Sequence, residues 1–342
     1  MSSCCYSVFS GGLDSTLSVR VLQSQGIEVK AVNFVSNFYG YRQAKESAKK
    51  LGVELKVLDI TPEMLEIVKN PRSGYGKHMN PCIDCHAFMI RRVKEEFVDK
   101  CGDNCLVATG EVLSQRPFSQ NRSALERVEK LAGVEVLRPL SAKLLPPTSY
   151  EEYNLVDREK LLDIRGRSRE RQRELASYFG IEDYPNAAGG CLLTDPSFSM
   201  KVGQMVRNWP CCTPVDIELL KNGRVFWASR NDNERILIMV ARNKQEGDRL
   251  TQLMQPGDLR AEMQTIPGPV ILVRGLNTAP GDSQWIRELL VPMQWEPRFL
   301  DSANTTEDIL SAVALMAGYY KKNARGRNVE VKIEKQTGKA AY

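Results

Sequence analysis

The sequence predicts an α/β fold: a doubly wound parallel sheet, followed by a second, smaller α+β domain. Short apolar runs alternate with helix-like polar segments in the first half, and a Gly-rich turn follows the first run. Beyond Trp209 the pattern changes to closely spaced alternating runs. A chain of 342 residues is long for one core. We therefore expect two domains, at 1–204 and 205–342.

The elements of the first domain alternate between strand and helix. The predicted strands are CYSVFS, VKAVNFV, ELKVLDI and NCLVATG, with helices at 14–25 and 43–51. A Pro-rich loop, helices to about Phe179 and the loop YPNAAGGCLLTDP complete it. In such a sheet the carboxyl ends of the strands meet at one crevice, where ligands bind. We therefore expect the functional residues after strands.

The second domain is predicted from the strands GRVFWASR, ERILIMVAR, PVILVRG and VEVKIEK, with a helix near 307–322. The chain as a whole is 42% hydrophobic and 26% charged, which is typical of soluble globular proteins. No apolar run approaches a membrane span, and the amino terminus resembles neither a signal nor a transit peptide, so we expect a cytoplasmic protein. The net charge of +5 is too mild to establish nucleic-acid binding.

The segment SGGLDST, residues 10–16, follows the first strand and opens the first helix. Glycines there let the backbone approach an anion at a helix amino terminus, hydroxyls add donors, and a carboxylate holds Mg²⁺. The candidate phosphate-binding residues are Ser10, Gly11, Gly12, Asp14, Ser15 and Thr16, with Asp14 as the Mg²⁺ ligand. The alternative is a helix cap with a Gly turn.

This segment resembles SGGxDS, the pyrophosphate loop of the PP-loop ATPases, whose fold is that of the adenine nucleotide alpha hydrolases. The resemblance implies that ATP is cleaved between its α and β phosphates, that a carbonyl oxygen is adenylated, and that a nucleophile displaces AMP. It also implies that Asn33 and Phe34, in the second strand, contact the adenine. A Walker A loop is absent from the sequence, which argues against transfer of the γ-phosphate.

Cysteines form a second pattern. Nine of them in an apparently cytosolic chain argue against a disulfide scaffold and favour metal or sulfur chemistry. Cys82 and Cys85 form a CxxC pair before an amphipathic helix, and Cys191 lies in a Gly-rich loop. Three thiolates hold three irons of a [4Fe–4S] cluster and leave the fourth open, whereas His86 as a fourth ligand would indicate zinc. The remaining cysteines, Cys4, Cys5, Cys101, Cys105, Cys211 and Cys212, are expected to be structural.

The strings NPC-x-x-C, ATGE and GGC resemble those of the PP-loop tRNA thiolases over most of residues 5–195. The first is typical of 2-thiouridylases, while residues 109–115 resemble the TGExxGQ string of 4-thiouridine synthetases, with Ser114 in place of the second glycine. The resemblance implies that the three cysteines either bind a cluster or alternate between persulfide and disulfide. It implies catalytic roles for Cys82, Cys191 and Asp14, and ATP contacts for Gly110 and Gln115. The THUMP and rhodanese domains of such enzymes are not recognisable.

The second domain resembles the NFACT-R RNA-binding domain through its G/A-R-N and IPGPxVIxRG strings. Arg242, Asn243, Lys244 and Arg274 fall at predicted strand ends, where cations reach RNA phosphates. Plain solvated surface is the alternative for each of them, and for the basic cluster at 165–173.

The sequence therefore predicts ATP-dependent thiolation of a tRNA uridine, giving 4-thiouridine or 2-thiouridine. The expected cofactors are ATP, Mg²⁺ and the cluster, and the expected partners are tRNA, sulfide or a persulfide donor such as a cysteine desulfurase, and a second copy in a homodimer. Two alternatives stay open: a PP-loop ligase or amidotransferase that uses ammonia, and a noncatalytic RNA-binding protein. The prediction requires the 10–16 loop and the three cysteines to meet in one cleft.

Overall fold

The computed structural model describes residues 3–102, 104–184, 190–231, 234–279, 283–294, 300 and 303–338. The chain forms two compact units, Met1–Met200 and Lys201–Tyr342. None of the helices in the described ranges has the length and apolar character needed to cross a membrane.

The first unit alternates strands and helices in the predicted order. Its elements are β1 (Cys4–Val8), α1 (Leu13–Gln23), β2 (Glu28–Val35), α2 (Arg42–Leu51), β3 (Leu55–Asp59), α3 (Thr61–Lys69), α4 (Cys82–Val93), β4 (Cys105–Thr109), α5 (Arg122–Ala132), α6 (Ser149–Glu152), α7 (Glu170–Tyr178) and α8 (Pro196–Asn208). The division between the two units falls within α8.

The four strands form a parallel sheet in the order β3-β2-β1-β4. Helices cover both of its faces: Cys5 packs in a core with Leu17 of α1, while the neighbouring Tyr6 points the other way and stacks on Phe97, beyond α4, with ring centroids 5.1 Å apart. The predicted doubly wound α/β fold is confirmed. The chain reverses direction across the sheet between β1 and β4, so their carboxyl ends, Val8 and Thr109, lie side by side.

The second unit contains a separate antiparallel sheet. Its elements are α9 (Pro214–Leu219), β5 (Arg224–Asn231), β6 (Glu234–Val240), α10 (Lys244–Gln252), β7 (Leu259–Met263), β8 (Ile271–Arg274), β9 (Gln284–Leu290), α11 (Thr306–Tyr319) and β10 (Asn328–Lys335), with sheet order β5-β6-β8-β7-β10-β9. The apolar side of α11 packs in the main core of this unit with residues of β6, β7, β8 and β10. The predicted α+β class is confirmed, although the sequence patterns did not identify β7 and β9.

Candidate active site

The 10–16 loop joins the carboxyl end of β1 to the start of α1. Gly11 has φ 76°, and a Cβ there would lie 2.7 Å from backbone atoms of Ala44, so this glycine permits close packing of the loop on α2. A Cβ at Gly12 would meet only side-chain atoms, Ser10 Oγ at 3.5 Å and Gln43 Nε2 at 3.7 Å. Gly12 therefore leaves a hollow beside the amino terminus of α1, which is a favourable place for a phosphate group.

Hydroxyl groups fix the shape of this loop. Ser15 Oγ donates to the carbonyl oxygen of Gly12 at 2.9 Å, and the Gly12 N–H donates to Ser10 Oγ at 3.3 Å. The Thr16 N–H donates to Gly12 as well, at 3.0 Å, as expected in the first turn of a helix. The loop is therefore shaped before any anion binds.

Gly110 follows β4 and presses against the start of α1. A Cβ at this position would lie 2.5 Å from Cα of Ser15, so only glycine fits without moving the helix. The glycine of the ATG string is therefore required for packing, independently of any nucleotide contact. It lets the end of β4 lie against the 10–16 loop.

Asp14 lies in the first turn of α1, and only one of its two carboxylate oxygens accepts hydrogen bonds from the described residues. Its Oδ2 accepts hydrogen bonds from Gln115 Nε2 at 3.1 Å and from Arg169 Nη2 at 3.3 Å. Its Oδ1 is buried and has no hydrogen-bond partner among the described residues. A carboxylate oxygen without such a partner, on a residue that lines the cleft together with Gly12, fits the oxygen ligand that Mg²⁺ requires.

Arg169 is a residue that sequence reasoning did not assign to the site. It belongs to the basic 165–173 cluster, for which the sequence is compatible with either a solvated surface or an RNA-binding face. Its side chain is 28% exposed, lines the cleft beside the 10–16 loop and forms an ion pair with Asp14. No local signal identifies it, because its partner lies 155 positions away.

The expected adenine contacts, Asn33 and Phe34, also line the cleft. Asn33 donates from Nδ2 to the carbonyl oxygen of Phe9 at 2.8 Å and so ties β2 to β1, whereas its buried Oδ1 has no partner among the described residues. Phe34 is buried. Both residues therefore belong to the wall of the cleft, and their contact with the adenine stays a prediction.

A single cleft of about 510 Å³ joins the 10–16 loop to the three cysteines. Its lining includes Ser10, Gly12 and Asp14 on one side and Cys82, Cys85 and Cys191 on the other. The sulfur atoms come from two segments about 100 positions apart, and residues 185–189 of the Gly-rich loop lie outside the described residues. The geometric requirement of the sequence prediction is therefore met.

The cysteine pair lies in the first turn of α4 rather than before the helix. Asn80 Nδ2 donates to the Cys82 sulfur at 3.2 Å, and the hydroxyl of Tyr39 lies 3.7 Å from the Cys85 sulfur. Burial raises the pKa of the Cys85 thiol well above its ordinary value. Burial also raises the pKa of Cys191, to about 11, although the nearby Arg116 guanidinium opposes the shift. A free thiol here is a poor nucleophile at neutral pH.

The spacing of the three sulfur atoms does not fit one zinc ion. Two thiolates on one zinc ion, each at about 2.3 Å, lie no more than about 4.6 Å apart. Within the described parts of the chain, Cys82, Cys85 and Cys191 do not form a group whose sulfur atoms all lie within 4.8 Å of one another. Three cysteine donors on one cleft are the ligand set that a cluster of several irons uses, with cysteine exchange as the other possibility.

His86 carries its own carboxylate partner. Its Nδ1 lies 2.7 Å from Glu111, whose other oxygen accepts from Nε of the buried Arg138 at 3.0 Å. Burial raises the pKa of Glu111, but the Arg138 charge and the bond to His86 outweigh it and lower the pKa to about 2. An ionised carboxylate only accepts, so Nδ1 of His86 carries the proton that it donates to Glu111.

A different set of cysteines lies at the opposite end of the sheet. Cys101 and Cys105, for which a structural role is expected, form a disulfide that the sequence patterns did not predict. The sulfur of Cys4, the first residue of β1, lies within 4.8 Å of both, because β1 and β4 pair Cys4 with Cys105. These residues stand at the amino ends of the strands, away from the cleft.

The basic residues of the second unit have different roles. The prediction that Arg274 reaches RNA phosphates is wrong: it is buried, and its guanidinium donates to Asp258 at 2.6 Å and Asp216 at 2.8 Å. A charge in the interior is stabilised by paired carboxylates rather than left for a ligand. Asn243 caps α10, and Arg242 pairs with Glu246, whereas Lys244 lines a surface cavity of about 850 Å³.

Comparisons with known proteins agree with this geometry for part of the chain. The family model described as thiamine biosynthesis protein (ThiI) matches residues 2–143. A protein of Bacteroides fragilis named tRNA-specific 2-thiouridylase MnmA 3 is 36% identical over 104 residues, which cover 30% of this chain and 28% of that protein. The tRNA-specific 2-thiouridylase MnmA of Nitratiruptor sp. is 39% identical over 113 residues, which cover 30% and 32%. This chain thus spans less than a third of the length of these curated relatives.

Among solved structures, a 4-thiouridine synthetase–RNA complex with bound ATP matches with a TM-score of 0.35 and 20% identity, covering 63% of this chain and 53% of that one. This likeness is too weak to carry an argument about function. The ThiI match spans the 10–16 loop, Cys82, Cys85 and Gln115, but ends before Arg169 and Cys191. Residues 2–143, which build most of the cleft, are therefore similar to the ThiI family.

Proposed function

We propose that this protein thiolates a uridine of tRNA at the expense of ATP, which becomes AMP and pyrophosphate. The single observation that carries the proposal is that one cleft is lined by both the phosphate-binding loop and three cysteines. The similarity of residues 2–143 to ThiI, and of the chain to proteins named tRNA-specific 2-thiouridylases, supports the same reaction.

The reaction proceeds in two displacements. First, a carbonyl oxygen of the uracil attacks the α-phosphorus of ATP, pyrophosphate leaves, and the base loses its N3 proton. A sulfur nucleophile then attacks the ring carbon that carries the adenylated oxygen, the C–O bond breaks, and AMP leaves with that oxygen. The sulfur proton replaces the one lost from N3, so the product is a neutral thiouridine.

Residues of the cleft divide this work. The 10–16 loop binds the pyrophosphate portion through backbone N–H groups and hydroxyls, and Asn33 and Phe34 face the adenine. Asp14 would hold Mg²⁺, which offsets the negative charge on the phosphates. Cys82, Cys85 and Cys191 would hold an iron–sulfur cluster, which supplies a site for a reactive sulfur that a buried thiol supplies poorly.

The second unit is proposed to bind the RNA. Its resemblance to NFACT-R and the presence of Lys244 in the lining of the cavity near α10 support contacts with phosphates, whereas Lys221 and Arg249 in the same lining pair with Glu218. Such contacts position a nucleic acid without reading its sequence.

One experiment tests the function and its alternatives. Protein purified without oxygen is incubated with unmodified tRNA, ATP, Mg²⁺ and sulfide, and the nucleosides are analysed by mass spectrometry together with AMP release. We expect thiouridine with the wild type and none with Cys191→Ser, while Cys211→Ser, at an exposed position, remains active. AMP formation without sulfur incorporation, unaffected by Cys191→Ser, would instead indicate a ligase. Absence of both products would indicate a noncatalytic RNA-binding protein.

A further inference from the structure

Arg169 is the cation that lies beside the 10–16 loop. One terminal nitrogen of its guanidinium is 3.3 Å from Asp14 Oδ2, and its side chain lines the cleft. The contact with Asp14 is the one side-chain hydrogen bond that Arg169 donates to the described residues, although a guanidinium carries five N–H groups. Most of its donor capacity is therefore available to a ligand.

We propose that Arg169 binds the β- and γ-phosphates of ATP, and that it exchanges Asp14 for the phosphates when the nucleotide enters. The assignment rests on the proposed function, because it requires the 10–16 loop to be the pyrophosphate site. Arginine suits this role because its planar fork matches two phosphate oxygens at once.

The charges around the loop require such a cation. Asp14 and Glu111 are the carboxylates that line the cleft among the described residues, and Glu111 is already paired with Arg138 and His86. A triphosphate placed at Gly12 would therefore stand against the Asp14 carboxylate. Arg169, which is in contact with Asp14, offsets this repulsion together with the Mg²⁺ that Asp14 would hold.

The two other arginines of the cleft are placed differently. Arg42 has a side chain that is 94% exposed and pairs with Glu46 on the surface of α2. Arg116 acts on the Cys191 thiol and so stands at the sulfur side of the cleft. Neither replaces Arg169 at the loop.

The backbone that carries Arg169 is firmly held. Arg169 directly precedes α7, and Gln172 and Ala176, which follow on that helix, are buried. Helix α7 packs on α1, whose first turn contains Asp14. The exchange therefore needs only a change of side-chain rotamer, because the Cα of Arg169 already lies within reach of the loop.

The rival interpretation is that Arg169 only neutralises Asp14 and stabilises the contact between α7 and α1. The two roles differ in their dependence on Asp14. If Arg169 only pairs with Asp14, replacing Arg169 has no effect on ATP affinity once Asp14 is uncharged. If Arg169 binds phosphate, replacing it weakens ATP binding whether or not Asp14 is charged.

Equilibrium binding of ATP, pyrophosphate and AMP decides between them. With Mg²⁺ present, Arg169→Gln is expected to weaken ATP and pyrophosphate binding by about 10- to 100-fold, the usual loss for a charge-assisted hydrogen bond, with AMP binding unchanged. Arg171→Gln, which breaks a surface ion pair with Asp163, serves as the matched control and binds like the wild type. Arg169→Lys keeps the charge but lacks the planar guanidinium that contacts two phosphate oxygens at once. If Arg169→Gln does not fold, weaker ATP and pyrophosphate binding by Arg169→Lys is the expected result.

The Asp14 dependence is measured in EDTA, so that a metal role of Asp14 does not enter. We expect Arg169→Gln still to weaken ATP binding in an Asp14→Asn background. The assignment of Arg169 would be overturned if its effect on ATP affinity disappeared in that background, or if the wild type and both Arg169 variants bound ATP equally well. Either result would leave the proposed function standing. Absence of ATP binding by the wild type with Mg²⁺ would overturn the proposed function, and the assignment with it.

Discussion

Nδ1 of His86 lies 2.7 Å from a carboxylate oxygen of Glu111, and this hydrogen bond joins the cysteine helix α4 to the carboxyl end of β4. Glu111 also binds Arg138, which in turn donates to Glu129 of α5. Glu111 and Arg138 at the centre of this network are buried, and the network fixes the position of α4, which carries Cys82 and Cys85, relative to the end of β4. Its charges therefore contribute to the geometry of the site as well as to stability.

Glu111→Gln is expected to lower the free energy of unfolding at pH 7 by about 1.5–3 kcal/mol, because the buried Arg138 loses one of its two carboxylate partners and keeps only Glu129. The pKa of Glu111 falls from an ordinary 4.5 to about 2 on folding, so its stabilisation is complete above pH 4.5 and is lost as the pH falls toward 2. Urea unfolding at several pH values should show the wild type and the variant converging over that range.

The matched control is Asp163→Asn, which removes an exposed partner of Arg171 and should cost less than about 1 kcal/mol. A difference between the wild type and Glu111→Gln that stays constant from pH 7 to pH 3 would contradict the role assigned to the ionised carboxylate.

Two glycines of the site should respond differently to a methyl group. Gly12→Ala is expected to leave thermal stability unchanged, since its Cβ meets no atom within 3.4 Å, and to weaken ATP binding by filling the hollow at the loop. Gly110→Ala is expected to destabilise the fold itself, because its Cβ would lie 2.5 Å from the backbone of Ser15. Thermal melts and ATP titrations of both variants check this; equal stability for the two would show that the close approach of β4 to α1 is not required.

Ser114 stands where the similar TGExxGQ string has a glycine, and it adopts a left-handed conformation with φ 62°. L-residues pay roughly 1–2 kcal/mol there, whereas glycine does not, although glycine loses more chain entropy on folding. Ser114→Gly should therefore raise the melting temperature, with a net gain of up to about 1 kcal/mol. Asn154, with φ 57°, is the control: asparagine tolerates this conformation better, so Asn154→Gly should gain less. A lower melting temperature for Ser114→Gly would refute the argument.

In the second unit, stability and RNA binding should separate. Arg274→Gln leaves Asp216 and Asp258 buried without their cation and is expected to cost about 3–5 kcal/mol. Lys244→Gln, at the rim of the surface cavity, should change stability by less than about 0.5 kcal/mol but weaken tRNA binding and reduce its salt dependence. Filter binding at several salt concentrations, with urea unfolding beside it, measures both. Unchanged RNA affinity of Lys244→Gln would argue against a phosphate contact at α10.

Local patterns in the sequence determined the strands of the first unit, the helix that follows the 10–16 loop and the α+β character of the second unit. These features depend on periodicity and on neighbouring residues, such as an apolar run that ends at two glycines. The candidate phosphate-binding residues and the candidate cysteines could be predicted for the same reason, because each belongs to a short string whose members lie close together in the chain.

Only the tertiary structure decided which of these strings share a cleft and which charges are available. Arg169 meets Asp14 across 155 positions, and Cys191 meets the α4 cysteines through a loop whose path no local pattern fixes. Arg274 looked like a surface cation in sequence, yet two aspartates from distant segments bury and neutralise it. Periodicity specifies the elements, but burial and pairing depend on how elements that are far apart in the chain pack together, and that packing sets which side chains a ligand can reach.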